Sequence, residues 1–314
     1  MPPSKQSVLI VGATGYTGFV IAKALSQNAS AFAVKALVRQ SSLRKPQVAD
    51  LEALGVQIIS GDIAVDTLDT LEAHLEGVDT VISTIMPHLV DQRPLILAAK
   101  KVGIKRFIPS DFSTFAPRGI MSIQDMKLDI RDFIIRHSVP YTFIQLGWWS
   151  TLLLPYPRGK NGGPLVTEIQ TQFHGPGDVK LAYTAKDRIG EFVERIIQDE
   201  RTLNHTVQAW DGESTLGEAW KLAEEISGDH FDDYPRLSPE EIESRVDRNP
   251  LSTLVYEYSR SVFIRGDGSI ANAIKNGALD ARELYPDYQP TSLEESAKEF
   301  YQNPVKLDYA FLES

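Results

Sequence analysis

The stretch "VLIVGATGYTGFVIAKAL", Val8 to Leu25, joins an apolar run to a segment of helical periodicity through three glycines. Their spacing is G-x-x-G-x-x-G. Between a strand and a helix, Gly12 would allow the tight turn, Gly15 the close approach of a diphosphate, and Gly18 the close packing of the helix on the strand. The stretch therefore predicts a dinucleotide-binding loop, and the alternative is a glycine turn with a purely structural role.

Strand-like and helix-like segments alternate through the first half of the chain. The further strand-like segments are "VKALVR", "VQIISGD", "DTVISTI", "IKRFIPS" and "PYTFIQLG". The segments between them have the apolar spacing of helices, and Gly55 and Gly77 follow two of them as C-terminal caps. Apolar strands that alternate with amphipathic helices predict an α/β protein with a doubly wound parallel Rossmann sheet.

The pattern changes near Trp149, after which "PYPRGKNGGPL" is rich in proline and glycine and predicts a loop. We therefore place a dinucleotide-binding domain at residues 1–150, with a further strand near 205–211. Residues 151–314 are predicted to form mainly a smaller, mostly helical substrate-binding part, interleaved with late elements of the sheet domain.

The composition excludes several classes of protein. The 314 residues carry 32 Lys and Arg against 42 Asp and Glu, and this net charge of −10 argues against nucleic-acid binding. The chain has no cysteine, so disulfides, thiolate nucleophiles and cysteine-bound zinc are excluded, and the scattered histidines predict no metal site. The opening "MPPSKQS" has no signal-peptide pattern and no apolar run could span a bilayer, so we expect a cytoplasmic protein without membrane contact.

The second strand-like segment ends in "LVRQSSLRK", where NAD-binding sites usually carry an acidic residue. Arg39 takes that place instead, and a guanidinium group pairs well with a ribose 2′-phosphate. Lys45 is a second candidate contact, although Arg44 or Lys45 could equally be a solvated surface cation. The sequence thus predicts NADPH and NADP⁺ as the cofactor pair.

Other cofactor contacts are expected where the later strands end. Asp62 and Ile63 could reach the adenine, although a simple turn aspartate is the alternative. The segment from Thr84 to Met86 should pass under the nicotinamide ribose, and Pro87 would stiffen it. The full predicted set is Gly12, Thr14, Gly15, Tyr16, Thr17, Gly18, Arg39, Lys45, Asp62, Ile63, Thr84, Ile85, Met86, Lys127 and Gly147.

Two lysines could supply the chemistry. Tyr156 and Lys160 match the Tyr-x-x-x-Lys pair of many short-chain dehydrogenases, but they lie in the loop-like stretch, so we reject them as a catalytic pair. Lys127 lies in "SIQDMKLDIRDFII", a predicted helix after the fifth strand; a lysine in a partly dry site can act as acid or base. Helical periodicity alone would favour a solvated lysine. The candidate substrate contacts are His88, Asp111, Phe112, Trp148 and Trp149.

Several motifs, in order along the chain, carry a family resemblance from about Val8 to about Asn204. They are "GATGYTG", "LVRQSS", "SGD", "VISTI", "KRFIPSDF", "MKLDIRDFI", "PYTFI" and "DRIGEFVERIIQDERTLN". The sequence resembles the atypical short-chain dehydrogenases of the isoflavone reductase, phenylcoumaran benzylic ether reductase and NmrA-like group. The resemblance implies NADPH as hydride donor, Lys127 as acid/base group and ribose contact, and a phenolic substrate.

The sequence departs from that family where substrates are recognised. The usual "PSEFG" appears as "PSDFS", and Gly147 and Trp148 replace an Asn-Phe pair. We therefore expect an NADPH-dependent reductase of an aromatic or conjugated small molecule of secondary metabolism, acting as a monomer or homodimer. The alternatives are an NADP(H)-sensing regulatory protein and a non-redox enzyme such as a cyclase; Asp111, Asp125 and Asp129 leave the cyclase open.

Overall fold

A computed structural model describes residues 5–246 and 249–304. The outer ends of the two predicted domains, residues 1–4 and 305–314, lie outside the described residues. Strands β1–β13 span Gln6–Val11, Phe32–Val38, Gln57–Ser60, Thr80–Ser83, Arg106–Ile108, Thr142–Leu146, Trp148–Trp149, Phe173–His174, Leu181–Thr184, His205–Ala209, Gly212–Ser214, Arg236–Leu237 and Ala278–Asp280. Helices α1–α13 span Tyr16–Gln27, Pro46–Ala53, Leu68–His74, Arg93–Val102, Ser122–Arg136, Pro164–Gln170, Ile189–Gln198, Leu216–Ser227, Pro239–Arg245, Pro250–Ser259, Ile270–Lys275, Ala281–Leu284 and Leu293–Gln302.

The described residues divide into two compact units. The first comprises residues 5–112, 126–145 and 187–207, and the second comprises residues 113–125, 146–186, 208–246 and 249–304. The boundary at residue 150 stays a prediction.

A parallel five-stranded sheet forms the centre of the first unit, in the order β3-β2-β1-β4-β5. Strand β1 is buried along most of its length because it pairs with β2 on one side and β4 on the other. Apolar residues of α3, α4 and α5, including Leu71, Leu95 and Ile134, join those of the sheet in one buried cluster. The predicted doubly wound α/β fold is confirmed.

The sixth predicted strand, β6, adjoins this sheet more loosely than expected. A single parallel bridge joins Phe107 of β5 to Tyr141, the residue just before β6. Strand β6 itself belongs to another sheet, in which its neighbour is β10. Arg106 of β5 is buried, and its guanidinium donates to Thr142 Oγ1 at 3.2 Å and to Thr202 Oγ1 at 2.7 Å. These side-chain bonds take the place of a longer ladder between β5 and β6.

The second unit contains more helix than strand. Its small sheet has the order β11-β9-β7, with β11 antiparallel and β7 parallel to β9. Strands β8 and β12 form a parallel pair. Aromatic side chains fill the core of this unit, among them Trp148, Phe173, Trp220, Phe231 and Phe263.

Candidate active site

The residues predicted to bind the cofactor follow the carboxyl ends of the parallel strands. In the strand order β3-β2-β1-β4-β5, the order along the sheet reverses between β1 and β4, and open α/β sheets bind ligands at such a point. The segments after the five strands contain the glycine loop, Arg39, Asp62, Thr84 and Asp111.

The glycines of the loop are required by close approaches of the backbone. Gly12 has φ +89°, and a Cβ there would lie 2.5 Å from Thr84 Oγ1. A Cβ on Gly18 would lie 2.4 Å from the carbonyl oxygen of Gly12. Distances under 3 Å cannot be tolerated by backbone atoms, so Gly18 lets α1 approach the end of β1, as its position predicted.

The N-terminus of α1 can receive a diphosphate. Gly15 is the N-cap, no side chain caps the helix, and its first turn carries no acidic residue. Gly15 and Tyr16 are exposed, while Thr14 and Thr17 are half-buried. The first amides of a helix carry a partial positive charge and need acceptors, so this end of a twelve-residue helix suits an anion.

Arg39 directly follows β2 and is exposed. Its Nε donates to Ser42 Oγ at 3.2 Å, and Ser42 is only 2% exposed. The guanidinium is therefore held at the sheet edge by a rigid neighbour. Lys45 is also exposed, at the start of α2. Two cations after β2 suit the 2′-phosphate that distinguishes NADPH from NADH.

Asp62 stabilises the turn that follows β3. Its Oδ1 accepts from the Ala64 amide at 3.0 Å, and its own amide donates to Asp66 Oδ2 at 2.7 Å. Ile63 is buried in the core of the first unit. Contacts of Asp62 and Ile63 with adenine stay predictions.

The segment from Thr84 to Met86 is fixed at both ends. Thr84 Oγ1 donates to the carbonyl of Val11 at 3.1 Å, and the Leu89 amide donates to that of Met86 at 3.0 Å. Between them, Gln92 Nε2 donates to the carbonyl of Ile85 at 2.7 Å. Gln92 is 1% exposed, and the sequence reasoning missed it; a glutamine just before an apolar helix was the available signal.

Lys127 lies in α5 and is buried, with 7% of its surface exposed. Its Nζ donates to the carbonyl oxygen of Asp111 at 3.2 Å. Burial lowers the pKa of Lys127 to about 8; the Asp111 carboxylate opposes this shift and Arg131 adds to it. An amine in this range can hold or release a proton near neutral pH.

A narrow cleft beside α5 contains this lysine. It is lined by Pro87, Gln92, Pro109, Ser110, Asp111, Lys127 and Ile130. Residues after β4 and after β5 thus meet Lys127 in one place.

Arg131 is the second residue that sequence reasoning missed. Its Nε lies 2.6 Å from Asp111 Oδ2, and both side chains are buried. The guanidinium carbon lies 4.9 Å from the centre of the Phe143 ring. The spacing of four residues after Lys127 placed Arg131 on the same face of α5 and was the available signal.

His88 and Phe112 lie near the same segments of the first unit. His88 is exposed after β4, and its pKa is lowered by partial burial and by the charge of Lys127. Phe112 follows Asp111 and is half-buried. Their contacts with a substrate stay predictions.

Gly147, Trp148 and Trp149 belong to the second unit. A Cβ on Gly147 would lie 2.6 Å from the backbone of Tyr183, so this glycine is required for packing. Trp148 is buried, with ring centres 5.4 Å from Tyr258 and 5.9 Å from Phe263. Trp149 is half-buried. A cofactor contact for Gly147 and substrate contacts for the tryptophans stay predictions.

Other possible sites carry no such arrangement. The segment with Tyr156 and Lys160 is not helical, and the Tyr156 side chain is buried. Within residues 5–246 and 249–304, no group of acidic and histidine side chains could hold a metal ion. In the same residues no helix has both the length and the apolar character to cross a membrane.

The chain is similar to known proteins along nearly its whole length. The description of the NmrA-like family matches residues 4–297. Asnovolin J 5′,6′-dehydrogenase of Aspergillus novofumigatus is 32% identical over 316 residues, covering 93% of this chain and 94% of that protein. Phenylcoumaran benzylic ether reductase TP7 of Nicotiana tabacum is 30% identical over 305 residues, covering 93% and 97%. The complex of leucoanthocyanidin reductase with NADPH from Vitis vinifera superposes with a TM-score of 0.80 and 25% identity, covering 95% of this chain and 100% of that one.

Proposed function

Since this chain belongs to the NmrA-like family, we propose that it is an NADPH-dependent reductase of an aromatic or conjugated small molecule, similar to the isoflavone reductases. Relatives named as reductases cover almost the full chain, and one structural neighbour is an NADPH complex. The observation that carries the proposal is Lys127, a buried amine with a pKa of about 8 among the loops after β4 and β5.

The loops of the first unit fit NADPH. The diphosphate would lie at the N-terminus of α1, where the glycines leave room that a Cβ would fill. Arg39 and Lys45 would pair with the 2′-phosphate, and Thr84, Ile85 and Met86 would support the nicotinamide ribose. When bound, NADPH supplies a hydride.

Lys127 manages the proton that must accompany reduction. The carbonyl of Asp111 orients its Nζ, and most of the lysine side chain is buried. The ammonium form can donate a proton to a phenolic or ether oxygen of the substrate, and the neutral amine that remains is favoured by its burial. The amine then regains its proton from solvent.

Hydride transfer in the opposite direction is a second candidate. One relative, 32% identical, is named a dehydrogenase. The same residues serve both directions, because an amine that donates a proton during reduction accepts one during oxidation.

The test is the oxidation of NADPH, followed by its absorbance, with a panel of phenols, enones and benzylic ethers. We expect Lys127→Met to reduce turnover by at least about a hundredfold while NADPH still binds, because general acid catalysis typically contributes that much. Lys100→Met, an exposed change on α4, is the matched control. Turnover by Lys127→Met near that of the control would remove Lys127 from the mechanism.

We also propose that the protein acts in the cytoplasm as a monomer or homodimer, without nucleic-acid or membrane partners. Its net charge of −10 supports the absence of a nucleic-acid partner. Light scattering and cell fractionation test these statements.

A further inference from the structure

Three buried charges lie together in the first unit around the cleft. Lys127 and Arg131 are one helical turn apart on α5, so their side chains lie on one face. Asp111 approaches that face from the loop after β5, and only 1% of its surface is exposed. Buried charges are costly unless each is paired, so this arrangement requires an explanation.

Asp111 connects the two cations through different atoms. Its carboxylate Oδ2 lies 2.6 Å from Arg131 Nε, while its backbone carbonyl accepts from Lys127 Nζ at 3.2 Å. The side chain and the carbonyl belong to one residue, so a contact that holds the side chain also restricts the carbonyl. Arg131 supplies one such contact.

The Phe143 ring also contacts Arg131. Its guanidinium lies over the Phe143 ring, and 8% of the residue is exposed. A planar guanidinium can both stack on a ring and pair with a carboxylate, which an ammonium cannot reproduce.

We propose that Arg131 is a positioning residue for Lys127, acting through Asp111: its ion pair fixes the loop after β5, so that the Asp111 carbonyl orients the Lys127 amine, and it neutralises the Asp111 carboxylate. The proposal deepens the proposed function and rests on it for the role of Lys127.

The charges that face Lys127 determine the expected effects. They include Asp111 and Arg131, and His88 of the segment after β4 also interacts electrostatically with Lys127. Asp111 raises the pKa of Lys127 and Arg131 lowers it, against the larger effect of burial. Removing Arg131 should therefore raise this pKa, and removing the Asp111 charge should lower it.

The test measures the pKa of Lys127 by NMR titration of protein labelled with ¹³C at lysine Cε, with the signal assigned by its loss in Lys127→Met. We expect Arg131→Met to raise this pKa by about one unit, the usual effect of a nearby charge, and Asp111→Asn to lower it. Arg136→Met, an exposed change on the same helix, should leave it unchanged. An unchanged pKa in folded Arg131→Met, or an equal shift in the control, overturns the proposal.

Activity gives a second readout. We expect Arg131→Lys, which keeps the charge but not the planar pair, to lower kcat by at least about tenfold at unchanged NADPH affinity, because the amine is misplaced. If Arg131→Met does not fold, Arg131→Lys tests the proposal, and an unchanged kcat in Arg131→Lys overturns it. If no substrate of the panel makes the wild-type protein oxidise NADPH, the proposed function fails, while the NMR titration still tests the role of Arg131.

Discussion

Arg39 is the residue on which the preference for NADPH over NADH depends in the proposed function. We expect Arg39→Asp to lower the NADPH/NADH ratio of kcat/KM by at least about a hundredfold. The variant loses a charge-assisted hydrogen bond and places a carboxylate beside the 2′-phosphate. Ser42, which holds the guanidinium, remains in place.

Lys100→Asp, with the same charge change on the exposed surface of α4, is the control for this measurement. Steady-state kinetics with each cofactor give the two ratios. A ratio in Arg39→Asp equal to that of the control would show that the 2′-phosphate is recognised elsewhere.

Lys127 makes the reaction depend on pH. Because burial lowers its pKa to about 8, the ammonium form is present below that value and is lost above it. If it donates the proton, kcat/KM for reduction should be highest below about pH 8 and fall about tenfold for each further pH unit.

The pH profile of kcat/KM checks this expectation, and the reverse reaction should show the opposite trend. The exposed variant Lys100→Met should keep the wild-type profile. A reduction rate that stays flat from about pH 7 to about pH 9.5 would contradict the role of Lys127 as acid.

At the scale of elements, the packing of α1 on α7 depends on Gly190. A Cβ there would lie 2.4 Å from the carbonyl of Val20 and 2.6 Å from the Ala24 Cβ. We expect Gly190→Ala to lower the free energy of unfolding by about 1–3 kcal/mol, the usual cost of overpacking. Urea unfolding measures the change. Gln198→Ala, at the exposed end of α7, should change it by less than about 0.5 kcal/mol, and an equal effect of the two variants would contradict the packing argument.

The regular elements of the first unit could be predicted because their signals are local. Strand β1 is a continuous apolar run, and α4 has a proline in its first turn and Gly103 at its end in the left-handed conformation. The short strands of the second unit, such as β7 and β8 with two residues each, are too short to show the alternating apolar pattern of a strand. Pairing with distant segments creates them, and one sequence does not show that pairing.

The stretch "STLVYEYSRSVFIRG", within the part of the chain predicted to be mostly helical, shows the same limit. Helix α10 changes at Arg260 into a π-helical segment, Arg260–Arg265, which ends at Gly266 with φ +71°. Periodicity predicted a helix there and could not predict the wider turn, since helical forms share most of their apolar spacing over a few residues.

The candidate site was predictable in the same uneven way. Motifs placed Lys127, Arg39 and the glycine loop, because their chemistry is visible in residue type and spacing. Gln92 and Arg131 were missed, because their roles depend on partners outside their own helices: Ile85 lies in the segment after β4 and Asp111 in the loop after β5. A buried polar side chain is recognised only when its partner is known.

At the scale of the whole molecule, three different activities are compatible with the same residues in the same fold. A reductase consumes NADPH and adds hydrogen to its substrate. A sensor binds the cofactor without consuming it, and a non-redox enzyme releases a product of unchanged oxidation state. The fold does not distinguish them, because function depends on the site and its ligand.

The fate of the hydride therefore decides between these activities, and we expect the protein to transfer it. With NADPH deuterated at C4 of the nicotinamide, the product should carry deuterium on carbon, and one cofactor should be oxidised for each product formed. Mass spectrometry and cofactor absorbance measure both quantities. Lys127→Met should form little product, since the proton is not delivered, whereas Lys100→Met should match the wild-type protein.

Tight NADP⁺ binding without turnover would favour the sensor, and an undeuterated product of unchanged oxidation state would favour the non-redox enzyme. Either result would leave the cofactor loop intact and would remove the hydride step from the proposed function.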